Sequence, residues 1–232
     1  MKQTPIFPPA RVTDLVELKN QGADVTCSTT FEILPVEFAY RNNPFHAHVF
    51  ICHFSGTVDG KEYAFRKCYS RGCPDNLCPH VSQAVLIANR YLQRDYHRLA
   101  QGGIPVDNRL FSLEEMTVKF ETLHADAASP MTLHDWIATV GDGQAYRVEP
   151  ALEWVSAVEH FANHDTQTIF LMANFLTECR GKTIRYERCL ACYPVDANHE
   201  DRQHKILMAN QRLKLLYEEL DRAGIECSKR YY

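Results

Sequence analysis

The sequence predicts an α+β fold in which an N-terminal antiparallel β-meander leads into a Cys3His metal site and a long helix, followed by a mostly helical C-terminal domain. Three observations carry this expectation. Between Thr29 and Arg66, strand-like apolar runs alternate with turn residues. Four metal-ligating side chains then fall between Cys68 and His80. Beyond Gln101-Gly-Gly-Ile-Pro105, the apolar positions recur at helical spacing.

In chain order, residues 1 to 12 are proline-rich and are expected to lie against the surface. Strands follow at Thr29 to Tyr40 and His46 to Phe54, divided by the polar turn Arg41-Asn-Asn-Pro44. A third strand, Lys61 to Arg66, begins after the turn pair Asp59-Gly60. His46, His48 and Cys52 share one face of the second strand, an arrangement that suits packing more readily than a second coordination site. Pro79 stands where a first helical residue would, before the apolar repeat Val81, Ala84, Val85, Ala88, Tyr91 and Leu92, so a helix is expected to about Leu99. Arg90, Arg94 and Arg98 form a basic stripe on it.

The Gln101 to Pro105 punctuation divides residues 1–100 from residues 106–232. In the second part, Ser112-Leu-Glu-Glu115 and Thr132-Leu-His-Asp135 read as helix caps. Ala151 to Phe161 and Thr166 to Cys179 read as helices, as does His199 to Ala223, where Ala209, Leu213, Leu216 and Leu220 form one stripe stopped by Gly224. His160 and His164, four apart, could face one metal from a helix but lack the neighbouring Glu of a metallohydrolase, and Asp165 reads more simply as a helix cap.

Cys68, Cys73, Cys78 and His80 make a complete tetrahedral ligand set of three thiolates and an imidazole. Gly72 permits a sharp turn, and Pro74 and Pro79 lower the entropy lost when the loop closes around an ion. Zinc suits this set. An iron–sulfur cluster competes with it, because Cys73 and Cys78 are each followed by proline. A second thiol group, Cys189-Leu-Ala-Cys192, has a spacing that suits a metal or a redox pair, and Cys179 and Cys227 would complete four thiols if the chain brought them together.

The order Gly60-Lys-Glu-Tyr-Ala-Phe-Arg-Lys-Cys68, then Leu77-Cys78-Pro79-His80-Val81, resembles the SWIM-type zinc-binding motif. The resemblance covers residues 60 to 90. It implies one zinc held by Cys68 and Cys73 from a hairpin and by Cys78 and His80 from a helix start, in a module serving protein or nucleic-acid interaction. The chain departs from the family in placing four residues between its first two cysteines where the family places one.

A chain of 232 residues, 45% apolar and 23% charged, can bury a sizeable core. It has no apolar run of membrane-spanning length, and the N-terminus lacks the apolar segment of a signal peptide. Nine cysteines without those features point to a reducing cytoplasm. The net charge of −4 argues against a nucleic-acid surface over the whole molecule, although Lys61, Arg66, Lys67, Arg71, Arg90, Arg94 and Arg98 concentrate positive charge around the cysteines. Charge compensation of metal-bound thiolates accounts for that concentration, and an acidic protein partner is the alternative. No serine elbow, phosphate-cradling loop or dinucleotide fingerprint occurs, and a closed zinc has no vacant position, so catalysis is not expected. The expected function is a non-catalytic zinc protein that orders a basic docking surface. An iron–sulfur electron-transfer or redox-accessory protein and a SWIM-like nucleic-acid binder are the alternatives.

Overall fold

A computed structural model describes residues 8–40, 43–72, 77–117, 132–141, 147–161, 164–179 and 181–232. The elements run α1 (Val12–Asn20), β1 (Ser28–Tyr40), β2 (Asn43–Val58), β3 (Lys61–Gly72), α2 (Leu77–Gln101), α3 (Leu133–Val140), β4 (Arg147–Val148), β5 (Ala151–Phe161), β6 (His164–Cys179), β7 (Lys182–Pro194), α4 (His199–Arg222) and β8 (Glu226–Cys227). The first meander does not lead into a metal site. It joins a second meander, β5-β6-β7, and the six strands close into a barrel in the order β1-β2-β3-β5-β6-β7.

The expected helices at Ala151 to Phe161 and Thr166 to Cys179 are therefore the strands β5 and β6. The physical reason is burial on both faces. Leu171, Ala173 and Phe175 pack outward under α3 and α4, while Phe170 and Met172 point into the barrel. The result is an unbroken apolar run that carries no period-two signal. His160 and His164 consequently stand on adjacent strands, where His160 pairs with Asp165 and Phe161 with His164. The terminal helix matches its expected span closely, as does the helix after the cysteines. The Thr132 cap is also formed, its hydroxyl accepting from Asp135 N–H at 3.0 Å.

The two halves repeat one another at a constant offset of 121 residues. The tight turns fall at Gly60 and Gly181, with φ +76° and +75°, and the stops of α2 and α4 at Gly103 and Gly224, with φ +70° and +73°. Such positive φ is open to glycine without a Cβ penalty. The antiparallel registers repeat, with Phe54 opposite Phe65 and Phe175 opposite Tyr186, and each meander carries one bulge at the equivalent place, Phe50/Ile51 and Leu171/Met172. Tyr96 donates to the carbonyl of Arg109, and Tyr217 to that of Arg230, both at 2.6 Å. Asn89 grips both backbone groups of Phe111, at 2.9 and 2.8 Å, and Asn210 does the same to Tyr232 at 3.1 and 2.9 Å.

Each half covers the outer face of its own meander with helices. Leu15 of α1 and Ala88, Leu92 and Leu99 of α2 pack on Phe50, Cys52, Phe54 and Tyr69. Trp136 of α3 and Leu213, Leu216 and Leu220 of α4 pack on Phe175, Tyr186 and Leu190. Full burial of each large side chain contributes about 1.5–3 kcal/mol. The third core is the barrel interior, filled by Leu34, Val36, Phe38, Ala47, Val49, Ile51, Cys68, Val155, Ala157, Phe170, Met172 and Cys189.

The seams between the meanders are short. The parallel β1·β7 ladder holds only Glu37–Arg188 and Phe38–Cys189, and the β3·β5 ladder only Lys67–Ser156 and Cys68–Ala157. Toward the end that carries the Gly60 and Gly181 turns the ladders between the meanders stop. Pro35, which has no N–H to give, is tolerated beside the stretch where β1 has no ladder partner on β7.

Asn89→Ala and Asn210→Ala each remove two side-chain hydrogen bonds, so each is expected to destabilise the protein by about 1–3 kcal/mol. Urea unfolding should show the two losses to be similar and to act on one shared transition, because both halves build the same barrel.

Candidate functional site

The site predicted around Cys68 shows no metal centre among the described residues. Among the described residues, no group of three or more His, Cys, Asp or Glu side chains is placed to hold an ion. Cys68 lies in the apolar interior, 3% exposed, opposite Ile51 and beside Ala157, and its thiol donates to Ser70 O at 3.5 Å. Its equivalent, Cys189, occupies the same interior position and donates to Ala191 O at 3.5 Å. Cys68 is thus an inward position of a packed barrel strand, which is why it does not act as a loop ligand. Cys73 lies outside the described residues. Cys78 and His80 fall on the first turn of α2, as a helix-start reading requires, and their side chains lie outside the described ones.

The second thiol group does not come together as a described metal site either. Cys192 is exposed on β7 while Cys189 faces inward. Cys179 ends β6 and donates to Thr139 O, and Cys227 on β8 donates to Ser228 O. Burial pushes the Cys227 thiol up to about 11, which keeps it protonated. These findings overturn the zinc and iron–sulfur expectations, the SWIM-type resemblance, and the metal-ordered docking and nucleic-acid functions built on them. His48 and Cys52 are buried in β2, Cys52 within the core under α2; the side chain of His46 lies outside the described ones.

Part of the positive charge near the cysteines is paired within the fold. Lys67 Nζ and the Tyr69 hydroxyl both reach Asp95 Oδ2 at 2.5 Å, and Arg98 reaches Asp95 Oδ1 at 3.1 Å. Arg90, Arg94 and Arg98 are all exposed along α2, with Arg94 lying over the Tyr91 ring. At the equivalent place in the second half, Arg188 pairs with Glu37 at 3.2 Å, and the Tyr186 hydroxyl donates to the same carboxylate. Each short seam therefore has a cation, buried in Lys67 and half-buried in Arg188, with a carboxylate and a tyrosine beside it.

The largest concentration of charge was not anticipated. It lies within the barrel toward the end that carries the Gly60 and Gly181 turns. Two residues along from the apolar Leu34, Ile51, Cys68, Val155, Met172 and Cys189, and on the same inward face of each strand, stand Glu32, His53, Arg66, Glu153, Asn174 and Glu187. Every strand of the barrel contributes one polar side chain to this level, and Arg185 joins it from the level nearer the hairpins.

These side chains form one chain of contacts. His53 Nε2 meets Glu32 Oε2 at 2.8 Å, and Arg185 donates to Glu32 Oε1 at 2.7 Å and lies 3.7 Å from Glu187 Oε1. Arg66 donates to Glu187 Oε1 at 2.9 Å and to Glu153 Oε2 at 2.7 Å. The Arg185–Glu32 and Arg66–Glu153 pairs span the two seams at the end where the strand ladders have stopped.

The site is open above and closed below. The side chains of Glu32, His53, Glu153 and Arg185 are about one-third exposed, whereas Arg66 is 9% and Glu187 1% exposed. Burial drives the Glu187 carboxyl upward, against the pull of Arg66 and Arg185. Burial also raises Glu32, but the His53 hydrogen bond and the Arg185 charge outweigh it and leave that carboxyl below the usual range. Carboxyls pushed apart by their surroundings in one accessible cluster are a mark of functional sites. Among the described residues, Glu187 Oε2, Asn174 Oδ1 and Arg66 Nη2 are buried at this level without a hydrogen-bond partner. A buried polar atom left unpaired costs about 1–3 kcal/mol, and here three such atoms are gathered at one level.

No family model, curated protein or solved structure matches this chain. No helix among the described residues is long and apolar enough to cross a membrane.

Removing Arg66 leaves two carboxylates facing each other across the interior, one of them fully buried. Arg66→Met is expected to cost about 3–5 kcal/mol, and Arg66→Met with Glu187→Leu should recover part of that loss in urea unfolding. The pH dependence follows from the sign of each shift. Glu187 is raised, so its contribution is full below the ordinary carboxylate range and is lost as pH rises through its folded value; Glu32, being lowered, contributes above that range and loses it as pH falls. Relative to wild type, Glu187→Gln should therefore gain stability as pH rises from about 4 to about 8, measured as urea midpoints.

Proposed function

We propose that the protein binds a small polar ligand at the charged end of its barrel. The observation that carries this reading is the trio of unpaired buried atoms, Glu187 Oε2, Asn174 Oδ1 and Arg66 Nη2, beneath a partly exposed rim. Ligand sites rely on a few polar groups fixed in orientation, and this level of the barrel supplies them. The reading is one of binding without turnover. It is supported by the ion pairs that hold Glu32, Glu153, Arg66 and Arg185, which fix charge in place. A reducing cytoplasmic setting fits the donating thiols of Cys68 and Cys189, since a disulfide sulfur has no proton to donate.

A ligand that binds only the folded state stabilises it by about 2.7 kcal/mol at a hundred times its dissociation constant. Thermal unfolding of the full chain against a panel of small anions, cations, zwitterions and neutral polyols should therefore raise the midpoint with at least one class, and Asn174→Leu should remove that rise. A panel without any shift would refute the reading.

A partner protein on the helices is a second reading, supported by Leu86 of α2 and Leu207 of α4. These are equivalent positions in the two halves, 70% and 57% exposed. Leu86→Glu and Leu207→Glu should leave stability within about 0.5 kcal/mol of wild type and abolish any self-association seen by sedimentation; unchanged association would count against it.

A further inference from the structure

We infer that the ligand of the charged level is a zwitterion of amino-acid type, its carboxylate meeting Arg66 Nη2 and its ammonium meeting Glu187 Oε2 and Asn174 Oδ1. This rests on the ligand-binding reading and adds the chemical class.

The three unpaired atoms set the pattern. Arg66 uses Nε on Glu153 and Nη1 on Glu187, which leaves Nη2 as a buried cationic donor. A guanidinium nitrogen is satisfied best by an anionic oxygen. The other two atoms are acceptors on residues 2% and 5% exposed, and they belong to direct cross-strand partners, Asn174 opposite Glu187. Side chains so paired start about 5 Å apart. A single ammonium, with three N–H donors, can serve both acceptors at once.

Pairing selects the same class. Three carboxyls, Glu32, Glu153 and Glu187, face two guanidiniums, Arg66 and Arg185, around His53. A simple anion would serve Arg66 Nη2 and leave both acceptors unpaired beside the carboxyls. A simple cation would leave Arg66 Nη2 unpaired. A zwitterion matches both ends and adds no net charge. The floor beneath is made of Leu34, Ile51, Val155 and Met172 with the thiols of Cys68 and Cys189, which are already bonded to backbone carbonyls, so the recognised part is the charged headgroup and any side chain points to the exposed rim.

Proton linkage follows from the environment of Glu187. Burial favours its protonated form, and an ammonium arriving at Oε2 favours the carboxylate, so binding shifts the Glu187 proton to buffer. The groups facing that carboxyl are Arg66, Arg185, Glu153 and Asn174, with the Glu32–His53 pair beyond Arg185.

The test is calorimetric titration of the full chain with glycine, and separately with acetate, methylammonium and glycerol, just above the ordinary carboxylate range. Glycine should bind about tenfold or more tightly than any of the other three, and its heat should change between buffers of different ionisation enthalpy. Glu187→Gln should weaken glycine about tenfold and leave acetate nearly unaffected. If that variant fails to fold, the buffer dependence of wild type decides alone. Acetate, methylammonium or glycerol binding as tightly as glycine, or a heat independent of buffer, would overturn the zwitterion assignment. If another class from the thermal panel binds instead, the ligand-binding reading stands without this one; if no compound acts in either experiment, both fall.

Discussion

The structure depends on closing a barrel from two three-stranded sheets whose seams are only two residue pairs long. Within each meander the antiparallel ladders run almost the full length of the strands, but between meanders the backbone bonds stop near the middle. A sheet edge left open exposes unpaired N–H and C=O groups and invites pairing with another chain. Here side chains take over where the ladders end. Arg66 and Glu153 span one seam and Arg185 and Glu32 the other, while Lys67 with Asp95 and Arg188 with Glu37 stand outside at the points of closure.

Holding a seam with charge has consequences that apolar contacts would not. Two ions removed from water recover their desolvation cost only when every remaining donor and acceptor is used. Around Asp95 that condition is met, since Lys67, Tyr69 and Arg98 occupy its oxygens. At the barrel level it is not met, because one oxygen of Glu187 and one nitrogen of Arg66 remain unused. The two clusters have similar composition and different completion. The Asp95 cluster is accordingly structural, whereas the Glu187–Arg66 level retains capacity for another molecule.

Some of this was legible in the sequence. The first meander, the helix after it, the Thr132 cap and the terminal helix follow from alternation, turn residues and helical periodicity. The second meander was hidden by burial on both of its faces, which makes Ile169 to Phe175 look like any apolar segment. The cysteine cluster misled because ligand chemistry was read without a strand register. Once β3 is paired, Cys68 is an inward residue two positions from Arg66. The repeat was available as a signal. Asn89, Leu92, Tyr96, Leu99, Gly103, Ile104 and Arg109 recur 121 positions later as Asn210, Leu213, Tyr217, Leu220, Gly224, Ile225 and Arg230. Aligning the chain with itself would have marked residues 151–179 as a second copy of the strands at 30–58. No local pattern reveals the polar level, because its members come from six strands and meet only when the barrel closes.

The repeat also explains why that level is asymmetric. Under the offset of 121, Arg66 corresponds to Glu187 and His53 to Asn174, while Glu32 and Glu153 are equivalent and identical. Arg66 and Glu187 bond to each other across the interior. Two copies of one half would place arginine against arginine or glutamate against glutamate there, a repulsion strengthened by the low dielectric around it. Divergence of that single pair turns the repulsion into an ion pair. The same change makes two of the unpaired atoms unlike, a donor on Arg66 and an acceptor on Glu187, and the divergence of His53 from Asn174 adds the second acceptor. A symmetric barrel mouth would offer the same chemistry on both sides; this one distinguishes the two ends of whatever it holds.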